Sequence, residues 1–132
     1  MARASLAMYD AVPPVRAAND RFWQGIRDRL RAAGYEAPEA LDLETAHDDV
    51  WLKPDVVLAQ TCGYPYVSFL KGKVRLVATP AYDFAGGEGT ERVSFIIVPE
   101  ASKAQSLEDL RGKVAAINDW GSNSGMNLFR AA

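Results

Sequence analysis

The chain has 132 residues and a mass of 14.4 kDa, enough for one domain or part of a larger one. Its apolar fraction of 48% and charged fraction of 24% suit a soluble globular protein and argue against intrinsic disorder, and a formal charge of −2 lacks the basic footprint of a general nucleic-acid binder. A single cysteine (Cys62) excludes an internal disulfide, a single histidine (His47) excludes a His-based metal centre, and no apolar run approaches the ~20 residues of a membrane span.

In chain order, residues 4–9 (ASLAMY) form a short apolar run with a turn signal behind it, the pattern of a buried first strand. Tyr9-Asp10 and Pro13-Pro14 interrupt the opening before any signal-peptide core develops, and the two prolines suit the first turn of a helix. That helix is expected over 15–33. Phe22, Ile26, Leu30 and Ala33 recur at helical spacing with Trp23 widening the stripe, Arg21, Arg27, Asp28 and Arg31 take the opposite face, and Gly34 stands where a left-handed residue ends the helix.

Residues 41–43 read as a short second strand and 45–51 as a short helix with Thr45 as N-cap. The run 56–59 (VVLA) is the pattern of a strand covered on both faces, followed by a helical turn or two over 65–71. Further strands are expected at 74–79 (VRLVAT), 93–98 (VSFIIV) and 114–117, with a glycine-rich loop over 81–90. Ser106 and Asp109 have the spacing of a capping box, and a last helix is expected to begin near Gly125. Strands alternating with helices indicate an α/β fold with a mainly parallel sheet, whose ligand sites lie at the carboxyl ends of the strands.

Two strand-to-helix loops have the composition of anion cradles. In 118–127 (NDWGSNSGMN), Ser122 and Ser124 offer hydroxyls, and the glycines let the backbone approach a tetrahedral oxyanion. Gln60, Thr61, Cys62 and Gly63 repeat the theme after the strand at 56–59, and Tyr9-Asp10 would lie nearby. Each has an ordinary structural alternative: serines cap helices, Cys62 is a small buried apolar residue, and Tyr9 sits at the edge of the core. The GSNSG segment is no nucleophile elbow, because Asn123 stands at its apex, and GGEG has neither a Walker nor a dinucleotide spacing. A Cys62–His47 dyad is the remaining catalytic arrangement, although His47 sits in an acidic stretch expected to face solvent.

QTCGYP (60–65), VRLVATPAYD (74–83), SLEDLRGKVAAIND (106–119) and SNSGMN (122–127) follow one another in an order and spacing that resembles the phosphate/phosphonate-type substrate-binding proteins of ABC transporters. The opening MYDAVPPVRAANDRFW (8–23) fits the start of mature members, and the likeness covers nearly the whole chain. The resemblance implies a type 2 periplasmic-binding-protein fold of two lobes closing on a ligand. It implies that 1–89 form most of lobe one, 90–105 a crossover strand and linker, and 106–132 the start of an incomplete lobe two.

The same likeness implies a non-catalytic protein without a cofactor or metal. Its oxyanion ligand (phosphate, phosphite or phosphonate) would be bound by Tyr9, Gln60, Thr61, Gly63, Ser122, Ser124 and Gly125, with Tyr82 and Asp83 near the crossover. The implied partner is a membrane permease and the implied location the periplasm, or the cytoplasm if Met1 is the true start, since no export signal opens the chain. Strands and a helix left without neighbours would expose apolar surface and favour a homo-oligomer, including one formed by segment exchange. The competing expectations are a small enzyme using Cys62 or a serine on an anionic substrate, and a module that keeps the fold without binding ligand.

Overall fold

A computed structural model describes residues 2–81, 83, 89 and 93–132. The chain divides into two compact units, Met1–Arg75 and Leu76–Ala132. Residues 76–81, expected with the first lobe, group with the second unit.

The first unit is a small mixed α/β arrangement. Strand β1 (Arg3–Ser5) pairs in parallel with β2 (Val56–Ala59), Ala4 opposite Leu58 and Ser5 opposite Ala59, with an irregularity between Arg3 and Ala4. The ladder is extended at both ends, by Arg3 N–H to Asp55 O at 2.8 Å and by Gln60 N–H to Ser5 O at 3.1 Å. The expected first strand therefore stops at Ser5, and Ala7–Tyr9 form a 3-10 turn instead. The expected strand at 41–43 is reduced to a single bond, Asp42 N–H to Ala4 O at 2.7 Å.

Helix α1 (Pro13–Ala32) carries both prolines in its first turn, where a missing N–H costs nothing. It ends before Gly34, whose φ of +84° is the left-handed conformation that a side chain resists. Its buried face centres on Trp23, which is 1% exposed and packs with Ala4, Leu6 and Ala37 against Ile26, Leu30 and Leu41. Trp23 Nε1–H donates to Pro38 O at 3.3 Å and the Asn19 amide to Leu6 O at 3.1 Å, so the helix is tied at two levels to the segments it covers. Phe22, expected in the stripe, is 61% exposed. The stripe is rotated by one residue: Asn19, Trp23, Ile26 and Leu30 face inward, and Phe22 falls outside their arc.

Among the described residues, β2 is packed on one face. Leu58 packs against the Trp23 cluster, whereas Val57 on the opposite face is 44% exposed, against the expectation of a strand buried on both sides.

Residues 45–51 form turns rather than a helix. The Asp42 carboxylate accepts the N–H groups of both Glu44 and Thr45 at 3.0 Å, so Asp42 is the capping residue and Thr45 is capped. Arg3 anchors the same loop, bonding Asp42, the Thr45 hydroxyl at 2.7 Å and Asp55 at 3.3 Å.

After β2 the chain enters α2 (Gly63–Pro65), which widens at once into a π-type turn, Tyr66–Leu70. Leu70 is 2% exposed and pins that turn.

The second unit contains a 3-10 turn, Glu108–Leu110, and a π-type turn, Asn123–Asn127, running into α3 (Leu128–Ala131). The capping box is present: Ser106 N–H donates to Asp109 Oδ2 at 3.0 Å and Asp109 N–H to Ser106 Oγ at 3.4 Å. No strand forms among the described residues at 74–79, 93–98 or 114–117. Phe95 (79% exposed), Ile97 (87%) and Val114 (99%) lie open. These segments have the side chains of strands, but a strand is defined by its neighbours, and no described residue supplies them with a ladder. The sheet seen is thus a parallel pair, and the larger parallel sheet expected from the alternating pattern does not form among the described residues.

Candidate functional site

Because β1 and β2 run in parallel, the loops that leave them emerge side by side at one edge of the pair. Tyr9 Oη lies 3.4 Å from Cys62 Sγ, and Met8 Sδ lies 3.9 Å from the same sulfur. The first-strand loop and the QTCGYP loop, expected near each other, are brought together here.

Within that edge the polar groups have different duties. Gln60 spends its backbone on the fold, its N–H on Ser5 O and its carbonyl on Trp51 Nε1–H at 2.8 Å. Thr61 Oγ1–H donates to the Cys62 carbonyl at 3.3 Å, so it must turn to reach a ligand. Cys62 precedes α2 in an extended conformation without a side-chain cap. Among the described residues nothing accepts from the Gly63 and Tyr64 N–H groups, which are the donors a helix start leaves over.

The start of α1 has no comparable donors. Pro13 and Pro14 lack an N–H, and Val15 and Arg16 both donate to Val12 O at 2.9 and 3.0 Å. The nearby Asp10 carboxylate, which would repel an anion, is paired with Arg16 at 3.2 Å. The first unit's anion-binding capacity therefore rests on the Thr61–Tyr64 segment and the phenol of Tyr9, which is 59% exposed.

In the second unit, Ser122 is the N-cap of the Asn123–Asn127 turn: its Oγ accepts from Gly125 N–H at 3.0 Å. The structural alternative for Ser122 is thus realised, though a hydroxyl that accepts still has its own proton to give. Gly125 N–H is consumed by this cap. A Cβ at Gly125 would run into the amide of Asn118, so glycine here lets a neighbouring side chain approach the backbone. Ser124 is exposed, and among the described residues nothing bonds its hydroxyl. Asp83 is exposed, and Tyr82 and most of the glycine-rich loop lie outside the described residues.

The Cys62–His47 dyad is not assembled. His47 sets its ring edge-on to Trp51 at 5.7 Å between centroids, and among the described residues no hydrogen bond joins it to Cys62.

Two shallow hollows exist in the first unit, of about 220 Å³ lined by Arg3, Pro38, Leu41 and Asp42 among others, and about 500 Å³ around Arg31, Tyr35 and Pro38. Both lie at the amino end of β1 and contain none of the expected ligand residues. The strongest electrostatic perturbation is at that end too. Asp42 is held well below the usual carboxylate range, first by the Thr45 hydroxyl, then by the Thr45 and Glu44 N–H groups and Arg3. Asp55 is lowered chiefly by its bond to Arg3. These are the signs of a structural clamp, since every polar partner in it is another group of the same loop system.

Among the described residues no cluster of three His, Cys, Asp or Glu side chains is placed to hold a metal ion, and no helix is long and apolar enough to cross a membrane. Comparisons with family models, with curated proteins and with solved structures return no match to this chain.

Proposed function

We propose that the chain is a non-catalytic oxyanion-binding module of a type 2 solute-binding component, one that delivers phosphate- or phosphonate-type ligands to the membrane permease of an ABC importer. The observation that carries this reading is the uncapped start of α2. Its Gly63 and Tyr64 N–H groups stand at the carboxyl end of β2, beside the Thr61 hydroxyl and near the phenol of Tyr9. Backbone N–H groups and hydroxyls suit a tetrahedral oxyanion, because each can aim a donor at one of its oxygens and free N–H groups at a helix start carry partial positive charge. Such a site discriminates by geometry and accepts a dianion or a monoanion with modest adjustment of its hydroxyl rotors. The Ser122 and Ser124 hydroxyls belong to the same reading as the second lobe's donors. The periplasm and a homo-oligomeric state belong to it as well.

The test is thermal. Phosphate, phosphite and methylphosphonate are each titrated against the full chain while its melting temperature is followed. At least one raises it, as linkage requires when a ligand binds only the folded state. Thr61→Val and Tyr9→Phe reduce the shift, and Ser122→Ala combined with Ser124→Ala abolishes it. No shift with any of the three anions overturns the proposal.

A further inference from the structure

The edge that carries the oxyanion donors also holds two sulfur atoms, for which anion binding has no use. Met8 sits in the turn after β1 and Cys62 in the loop after β2, and the parallel pairing of the strands brings their side chains together from distant parts of the chain. The thiol and thioether sulfurs are 3.9 Å apart, and Tyr9 Oη lies 3.4 Å from the thiol. Met8 and Cys62 are both half-buried residues, neither sealed in the core nor fully exposed.

Thiolate and thioether are soft donors, and together they favour soft monovalent ions such as Cu(I) over hard or borderline divalent ones. With metal–sulfur bonds of about 2.3 Å, a separation of this size closes a triangle whose angle at the metal is roughly 115°, the opening of a trigonal site. Two protein sulfurs leave a third position for a solvent or exogenous donor. Competing divalent ions find no set of three His, Cys, Asp or Glu ligands among the described residues.

The geometry points to a soft-cation site for Cu(I) or Ag(I), formed by the Cys62 thiolate and the Met8 thioether with Tyr9 at its rim. Binding exchanges a proton for the metal: the S–H bond of Cys62 breaks, an S–metal bond forms, the thioether adds its lone pair, and the proton leaves to solvent. No electron changes hands. The site does not depend on the oxyanion reading, because neither sulfur is among the donors that reading uses.

The test uses the full chain and Cu(I), supplied as its bicinchoninate complex under reducing conditions. Wild type withdraws one equivalent of Cu(I) with release of protons, and X-ray absorption at the copper edge counts two sulfur neighbours. Met8→Leu preserves side-chain volume, weakens Cu(I) binding by about tenfold or more and leaves one sulfur neighbour. One sulfur in the wild-type spectrum, or undiminished affinity in Met8→Leu, overturns the proposal by reducing it to capture by an ordinary thiol. Should Met8→Leu lower the melting temperature, the wild-type spectrum alone decides. A phosphate-induced thermal shift that persists in Met8→Leu separates failure here from failure of the oxyanion reading.

Discussion

Trp23 and Phe22 are adjacent in sequence and opposite in consequence. The indole is 1% exposed and bonded through Nε1, whereas the Phe22 ring is 61% exposed. Trp23→Ala should destabilise the first unit by about 3–5 kcal/mol, since it empties the centre of the cluster and leaves Pro38 O without its donor. Phe22→Ala should stay within about 0.5 kcal/mol, as surface changes do. Urea unfolding followed by circular dichroism measures both. Either aromatic alone is compatible with a core position by composition; the face on which each falls depends on which neighbour the helix packs against, and that is tertiary information.

The carboxylates give a second expectation at this scale. Asp42, Asp55 and Asp109 all have folded-state pKa values below the ordinary carboxylate value, Asp42 chiefly through Thr45, Asp55 through Arg3 and Asp109 through the N–H of Gln105 and Ser106. Near pH 4, where unfolded Asp titrates, the unfolded chain binds more protons than the folded one, so stability rises with pH there. The stabilisation is fully present above that range and is lost as pH falls through the depressed values. A plot of urea midpoint against pH should decline below about pH 4. Asp42→Asn should flatten the decline, at the cost of lower stability at neutral pH.

At the scale of elements, what was legible followed from local rules. The double proline, the helical spacing and Gly34 set both ends of α1 within two residues of where they lie. The capping box at Ser106–Asp109 was legible for the same reason, being specified by residues close to one another in the chain, whereas the parallel pairing of β2 with the distant β1 followed from the alternation of strands and helices. The strands expected at 74–79, 93–98 and 114–117 failed because an apolar, β-branched run states only that a segment would pair well, never that a partner is in place. The helix expected at 45–51 does not form even though Asp42 caps the N–H groups of Glu44 and Thr45 as an N-cap would; the chain goes on in turns. For the candidate site, the loop after β1 and the loop after β2 were predictable as neighbours from topology. The cap at Ser122 was the ordinary alternative that its composition already offered, whereas the meeting of Met8 with Cys62 depended on side-chain directions no spacing rule contains.

For the whole molecule, the two units differ in how their backbone is satisfied. Met1–Arg75 has a ladder, a long helix and a buried cluster; in Leu76–Ala132 the regular elements among the described residues are two short turns and the terminal helical segment, and Met126 is the buried apolar residue there. Extended segments without cross-strand bonds open at little free-energy cost and fit protease clefts directly. Brief digestion with chymotrypsin should therefore cut at Phe95 (79% exposed) and Trp120 (76%) well before Trp23. Mass spectrometry of the early fragments reads the order, and early cleavage at Trp23 would contradict the account of the first unit. An oligomer that pairs the segment 93–98 would suppress the cut at Phe95 as concentration rises, which makes the same digestion a probe of self-association.

The irregular pairing of β1 with β2 has a bearing on synthesis. Strand β1 finds its neighbour only once residue 59 has left the ribosome, so the nascent chain carries β1 unpaired throughout the making of α1 and the loops behind it. Until then α1 can shelter that strand, through the indole of Trp23 over Ala4 and Leu6. A growing polypeptide of this design would collapse first as a helix draped on an unpaired thread, and acquire its sheet afterwards.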